Sequence, residues 1–368
     1  MRSKKFIAVA AAAGVAASLM IAAPAHAEPV SPGLVAVGSD TLQDVLNALA
    51  NGTTVSGASV RSDALGQSFA SFDATGSTSI QAKSGGTRFG RPNGSGDGVK
   101  ALSRSIDGQP FTSATPGGPA NVTITGQVDI ARSSSGATVN TNGALLYIPF
   151  GRDGLSYAHS GGSNAAFDFI DGATLKGIFE CTVTQVGGVT VTPVIPQAGS
   201  GTRKDFLSKI GSSEGALGGC VKVGQEHDTN SLANGDAFPA NAVTPMSAAQ
   251  WVAQNTGAGV DRRGAGVKIG SPVTGTPAVT GTGSSMVPNA TFYANSTWGR
   301  DTYLVVEYAR VTEGNAKYDA RLANLVGTAA NKLGNTQSVL PSQAGSVKKK
   351  FGFLAPASPT PFRVALAS

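Results

Sequence analysis

The chain has 368 residues, 40% of them hydrophobic and 14% charged, with 49 Gly, 19 Pro, 3 His, 2 Cys and a net charge of +6. Ordinary apolar content and sparse charge exclude a disordered chain, and glycine without a three-residue period excludes collagen. Two cysteines exclude a disulfide-dense scaffold, and so few histidines leave little material for a His/Cys metal cluster.

The first element is a leader. Arg2, Lys4 and Lys5 precede an apolar run from Phe6 to Ala23, and Ala25-His26-Ala27 forms an A-x-A cleavage site. This pattern predicts a secretory signal peptide over 1–27 rather than a retained membrane helix. The leader carries three positive charges and no acids, so the remainder holds 25 basic against 22 acidic residues, or +3. That small excess gives nucleic-acid binding little support. Nothing further along is apolar enough for stable membrane insertion. The expected location is secreted, extracellular or periplasmic. In that oxidising compartment Cys181 and Cys220 are expected to form one disulfide, the alternative being two buried thiols.

The strand at 34–37 stops at Gly38-Ser39-Asp40-Thr41. Leu42, Val45, Leu46 and Leu49 then recur at helical spacing, with Asp40 and Gln43 in a capping-box pattern. The same grammar returns at Gly94-Ser95-Gly96-Asp97-Gly98, followed by Val99, Leu102 and Ile106. A strand-like FDATGS lies at 72–77. Val128 to Ala131 reads as a buried strand running into Arg132-Ser133-Ser134-Ser135, with Asp129 toward its end. Residues 144–150 and 189–195 read as strands, and 166–179 as a helix pair broken at Asp171-Gly172. Gly199-Ser200-Gly201-Thr202 then opens a helix carrying Phe206, Leu207 and Ile210. A short helix at 247–254, a loop-like stretch at 256–290, a strand at 302–309 and a helix at 318–333 follow. The end is basic and proline-rich. Strands alternating with helices over a length too great for one small core predict an α/β protein of two domains.

Three helices thus begin directly after small hydroxyl/glycine turns. A helix start presents unpaired N–H groups and partial positive charge, glycine admits close approach, and Ser or Thr adds donors. Together they form an anion-binding device. Any one turn alone is as well explained by capping. A carboxylate such as Asp129 at an anion site would repel the ligand unless it accepts a proton from it. Hydrogen phosphate could supply that proton and sulfate could not. The alternative is that Asp129 pairs with Arg132 or caps a turn. Arg88, Arg91, Arg132 and Arg203 are the arginine candidates, each otherwise a solvated surface residue.

The order GSDT, GSGDG, DIARSS and GSGT-helix, with LLYIPFGRDGLSYA, DGATLKGIF and STWGRDTYLVVEYAR, resembles the phosphate-binding proteins of phosphate ABC transporters. The resemblance implies a type II periplasmic-binding-protein-like fold with its ligand cleft between the lobes. Residues 28–150 would form the first part of lobe I, 151–298 lobe II, and 299–368 the return segment and tail. Ser39, Asp40 and Thr41, then Ser95 and Gly96, then Ser200, Gly201 and Thr202 would bind inorganic phosphate or a similar oxyanion. Asp129 would accept its proton, and Arg132 and Ser133 would also bind the ligand. Many family members carry an Arg four residues before the Ser of GSGT. Pro196 stands there, so Arg91 or Arg132 must substitute or the ligand differs. A lipid-anchor Cys is also absent. The implied partner is an ABC-transporter permease, with neither cofactor nor metal.

Two other classes compete. A secreted phosphate-ester hydrolase would need a nucleophile or a metal. Gly211-Ser212-Ser213-Glu214-Gly215 matches G-x-S-x-G only formally, since a helix precedes it where a nucleophile elbow needs a strand. An Asp-only metal site would need Asp40, Asp97 and Asp129 to converge. A ligand-free surface or adhesion protein would use the tail from Lys348 onward to bind a wall polymer, the alternative being a frayed terminus.

Overall fold

A computed structural model describes residues 33–368. The expected signal peptide and cleavage site lie outside the described residues. Among the described residues no helix is long and apolar enough to cross a membrane.

The sheet is built from β1 (Val35–Gly38), β2 (Ala70–Ser71), β3 (Ile130–Ser133), β4 (Leu145–His159), β5 (Thr192–Pro196), β6 (Lys222–Gly224), β7 (Ala242–Ser247), β8 (Gly299–Glu307) and β9 (Phe362–Val364). The helices used below are α1 (Gln43–Asn51), α2 (Ser95–Asp107), α3 (Gly172–Phe179), α4 (Gly201–Lys209), α5 (Ala248–Thr256) and α6 (Ala344–Lys350). Strand order is β6-β5-β7-β4-β8-β3-β1-β2, with β9 and the short strand Lys268–Ile269 added on β4. Parallel pairs lie at both outer ends, β1 with β2 and β3 on one side and β5 with β6 and β7 on the other. The two antiparallel strands β4 and β8 join them, with a register shift between Pro149 and Gly151.

That topology follows from the apolar pattern. β4 is buried along nearly all of its fifteen residues, although Arg152 and Asp153 interrupt its apolar run, so both of its faces are covered along its length. Its first half pairs with β8 and β9, and its second half with β7. The cores divide accordingly. Lobe I has one core on the α1 face, with Leu42, Val45, Leu46 and Leu49, and another on the α2 face, with Val99 and Leu102. Lobe II has its own core around Leu155, Ile178, Phe179, Phe206 and Trp298. Helix α5 bridges them, because Ala249 and Ala253 join the α1-side core of lobe I.

Several sequence expectations shift. The stretch at 72–77 lies just past β2 and is not a strand, because its backbone curls around the Arg91 side chain. The helix expected over 318–333 shrinks to Ala320–Leu325, since Gly327 and Gly334 pack against each other. The C-terminus is not frayed. Lys348 is buried in α6, where it donates to the Phe150 and Leu333 carbonyls, and β9 pairs with β4. The Lys348 side chain is therefore not available to a wall polymer.

Cys181 and Cys220 form the expected disulfide, with Cα atoms 6.0 Å apart and a sequence separation of 39. The loop they close contains β5 and α4.

Candidate functional site

Each of the three hydroxyl/glycine turns sits where a strand ends or a helix opens, and the fold packs them against one another. Gly38 ends β1 with φ of +103°, and a Cβ there would lie 2.8 Å from the Arg132 carbonyl and 3.0 Å from the Gly98 Cα. Gly201 opens α4 with its Cα against two hydroxyls. A Cβ would come within 2.3 Å of Ser95 Oγ and 2.6 Å of Ser134 Oγ. The glycines therefore serve the approach of one turn to another. Removal of the side chain is what lets helix starts from both lobes share one volume.

Hydroxyls line that junction. Thr41 Oγ1 and Thr202 Oγ1 are 3.4 Å apart, and Ser95 Oγ lies 3.0 Å from Ser134 Oγ. Ser39 Oγ is buried without a hydrogen-bond partner among the described residues. From the crossing strand β8, Arg300 Nη2 donates to Thr202 Oγ1 at 3.0 Å and to Thr41 Oγ1 at 3.4 Å. Its Nε donates to Asp153 Oδ2 at 2.9 Å, and Nη1 reaches Asp205 Oδ2 at 3.4 Å. Burial alone would lower the Arg300 pKa. The carboxylates of Asp153 and Asp205 reverse that and raise it. Arg300 is thus a permanently charged donor fixed between the lobes. Glu226 supplies the acid here: Thr41 Oγ1 donates to its Oε1 at 3.4 Å, while Oε2 is buried without a partner among the described residues.

A second group clamps the Asp40 turn. Asp40 is fully buried, 2.7 Å from His227 Nδ1 and 2.9 Å from Arg262 Nη1. Burial would raise its pKa, but the Arg262 charge and the His227 hydrogen bond outweigh that and hold it well below the usual carboxylate range. Asp40 is therefore ionised and only accepts, so His227 Nδ1 carries the proton. Gln250 of α5 donates to the Asp40 and Thr41 carbonyls. Asp40 thus joins the lobes with its own negative charge, a different role from contacting an anion.

Other expected residues are placed elsewhere. Asp129 precedes β3 rather than ending it, at the opposite end of the strand from Ser134. It accepts from the Val35 N–H and pairs with Lys83 and Arg310. Asp129 therefore does not face the junction. Arg91 donates to the Asp73 and Ser77 carbonyls, and burial lowers its pKa to about 10. Arg132 donates to the carbonyls of Gly38, Ser39 and Phe72 and to Ser71 Oγ. Burial lowers its pKa to about 10 as well. Both arginines brace turn carbonyls, because a guanidinium with five donors satisfies several buried acceptors at once. Neither takes the position left by Pro196.

Ser200 caps α4, its Oγ accepting from the Arg203 N–H. Ser133 Oγ donates to the Ser135 carbonyl, and Gly96 lies on the exposed side of the first turn of α2. Arg203 pairs with Glu214, and Arg88 donates to Ser79. Asp97 accepts from Ser113 Oγ and the Ala114 N–H, so it does not converge with Asp40 and Asp129.

Arg300, Glu226, His227 and Arg262 were not singled out as site residues from the sequence. Arg300 carried a faint signal as the polar residue opening an otherwise apolar strand. The Glu226-His227 pair lies in a loop whose destination only the tertiary fold fixes.

The chain matches no family model and no curated protein. Solved structures do resemble it. An ABC-type phosphate transport receptor from Vibrio cholerae is 16% identical, with a TM-score of 0.49 over 88% of this chain and 100% of the other. The chain is similar to phosphate-binding proteins. A phosphate-binding protein from Stenotrophomonas maltophilia is 14% identical, with a TM-score of 0.46 over 89% and 91% of the two chains. A human phosphate-binding apolipoprotein is 14% identical, with a TM-score of 0.44 over 88% and 92%.

Proposed function

We propose that this chain is an extracytoplasmic solute-binding protein that captures inorganic phosphate, or an oxyanion of the same shape, between its lobes for delivery to an ABC-transporter permease. The lobes would be 28–150 with 299–368, and 151–298, after removal of a leader ending near Ala27. The observation that carries this reading is the meeting of the Thr41 turn and the α4 start at Arg300, 3.0 Å from Thr202 Oγ1 and 3.4 Å from Thr41 Oγ1, with the α2 start packed against Gly201.

The chemistry follows from those groups. Stripping water from an oxyanion is costly, so nearly every oxygen lone pair needs a donor. Thr41, Ser95, Ser134 and Thr202 would offer hydroxyls, the helix starts backbone N–H groups, and Arg300 a full charge. About ten charge-assisted hydrogen bonds in a water-free site would offset desolvation and leave micromolar affinity, near −8 kcal/mol. Arg300 would take the role of the arginine missing at Pro196. Glu226 would accept the proton of hydrogen phosphate on its unpartnered Oε2. Sulfate has no proton to give at neutral pH, so the same carboxylate would repel it.

Calorimetric titration of the purified chain with phosphate, arsenate and sulfate tests this. One equivalent of phosphate bound, with arsenate competing and sulfate weak, supports it. Turnover of an aryl phosphate would replace the reading with a hydrolase, and absence of all binding would leave a ligand-free protein on the same fold.

A further inference from the structure

The junction itself is buried, but Arg300 reaches beyond it. Beside Arg300 opens a cleft of about 710 Å³, lined among others by Ser135, Gly136 and Thr138 of lobe I, Lys204 of α4, and Tyr303 of β8. That volume falls within the ~300–1,000 Å³ of sites that bury a drug-sized molecule, far more than a five-atom oxyanion occupies. Arg300 belongs to both places. Its Nη2 faces Thr41 and Thr202, while its Nη1 faces Asp205, which also lines the cleft.

The charges in the cleft are not balanced. Asp205 is paired with Arg300 and Lys209, and Asp301 with Arg152. Among the described residues no carboxylate pairs with the exposed Lys204 at the cleft wall. The remaining lining is hydroxyls and backbone, with the rings of Tyr303 and Phe362 packed edge to face. Hydroxyl donors, a cation and an aromatic edge suit a compact polyol or sugar better than an apolar body.

Resting on the phosphate reading above, we propose that this cleft is a subsite for the organic part of a phosphomonoester, a sugar or polyol phosphate whose phosphoryl group is held at Arg300. The junction takes the phosphoryl oxygens, and the ester oxygen points outward past Arg300 to the Ser135–Thr138 and Lys204 walls. The chain then binds both free phosphate and small hydroxylated esters.

The test is calorimetric titration with inorganic phosphate, glycerol 3-phosphate and glucose 6-phosphate, on the wild type and on Gly136→Trp. Position 136 suits a plug. A Cβ there meets Tyr303 Oη at 3.6 Å and Phe362 Cζ at 3.9 Å, ordinary contacts on the cleft wall, and no junction hydroxyl is among its three nearest atoms. At least one ester is expected to bind the wild type. In Gly136→Trp its affinity falls by about tenfold or more while that of inorganic phosphate stays within about twofold. Lys204→Ala weakens the same ester by about threefold to tenfold, salt-dependently. If phosphate binds and no ester does, or if Gly136→Trp leaves ester binding intact, the subsite is overturned and the phosphate reading stands. If neither phosphate nor ester binds, the phosphate reading itself has failed.

Discussion

Thr41 Oγ1 and Thr202 Oγ1, 161 residues apart in the chain, lie 3.4 Å from each other, and Arg300 donates to both. One hydroxyl comes from a turn of lobe I and the other from a helix start of lobe II, so a ligand between them touches both lobes at once. Thr202→Val keeps the shape of the side chain and removes one donor. We expect phosphate affinity to fall by about tenfold, the worth of one hydrogen bond to a charged group, ~1.5 kcal/mol. Calorimetry reads the affinity, and a melting temperature close to the wild type shows that the fold survived. Unchanged affinity would place the oxyanion elsewhere.

Two acids separate the competing proton acceptors. Glu226→Gln is expected to narrow the preference for phosphate over sulfate, because a neutral amide no longer repels the fully ionised anion. Asp129→Asn is expected to leave that preference untouched, since Asp129 sits at the other end of β3 among Val35, Lys83 and Arg310. It should instead destabilise the fold by about 3 kcal/mol, the usual cost of breaking a buried ion pair. Competition titrations and chemical denaturation measure the two effects. A sulfate-tolerant Asp129→Asn would restore the assignment read from the sequence.

His159 predicts a pH dependence in lobe II. Burial lowers its pKa from 6.5 to about 4, with Asp168 opposing only in part. The unfolded chain therefore takes up a proton that the native state refuses. Stability is at its full value above pH 6.5 and falls as the pH drops toward 4, by up to about 3 kcal/mol. His159→Phe, stacked in the same place on Phe167, should flatten that part of a melting-temperature curve. Asp40 acts in a lower window with the opposite charge. Its depressed pKa contributes stability above the ordinary carboxylate value near 3.9, lost as the pH falls further. A His159→Phe curve as steep as the wild type between pH 4 and 6.5 would refute the first assignment.

The disulfide couples to the site through its loop. Cys181–Cys220, with a sequence separation of 39, closes a loop containing β5 and α4. Loop-closure entropy gives about 4 kcal/mol for such a span. The double variant Cys181→Ser/Cys220→Ser should unfold earlier by about that amount in denaturant titration. It should also bind phosphate more weakly, because Gly201 and Thr202 then sit on a less constrained helix. Equal stability would mean that packing alone holds the loop.

Much of the fold was legible in local pattern. The strand–turn–helix units at Gly38, Gly94 and Gly199, the strong strands at 144–150 and 302–309, and the disulfide all rest on periodicity, punctuation or composition. Those signals act within a few residues, so a linear reading captures them. The meeting of Thr41, Ser95 and Thr202 was expected only because similar turns recurred in an order that resembled a known family. The partners that complete the junction were not legible. Arg300, Glu226, His227 and Arg262 are ordinary charged residues by sequence, and a charge has no periodicity to betray its destination. Arg91, Arg132 and Asp129 looked equally suitable until their acceptors and cations appeared around them. The amino-acid sequence by itself determined which backbones start helices and which segments are apolar enough to cross the sheet. Only the tertiary structure decided which charges face which, because an ion pair is fixed by where strands cross, and that is a property of the whole packed chain.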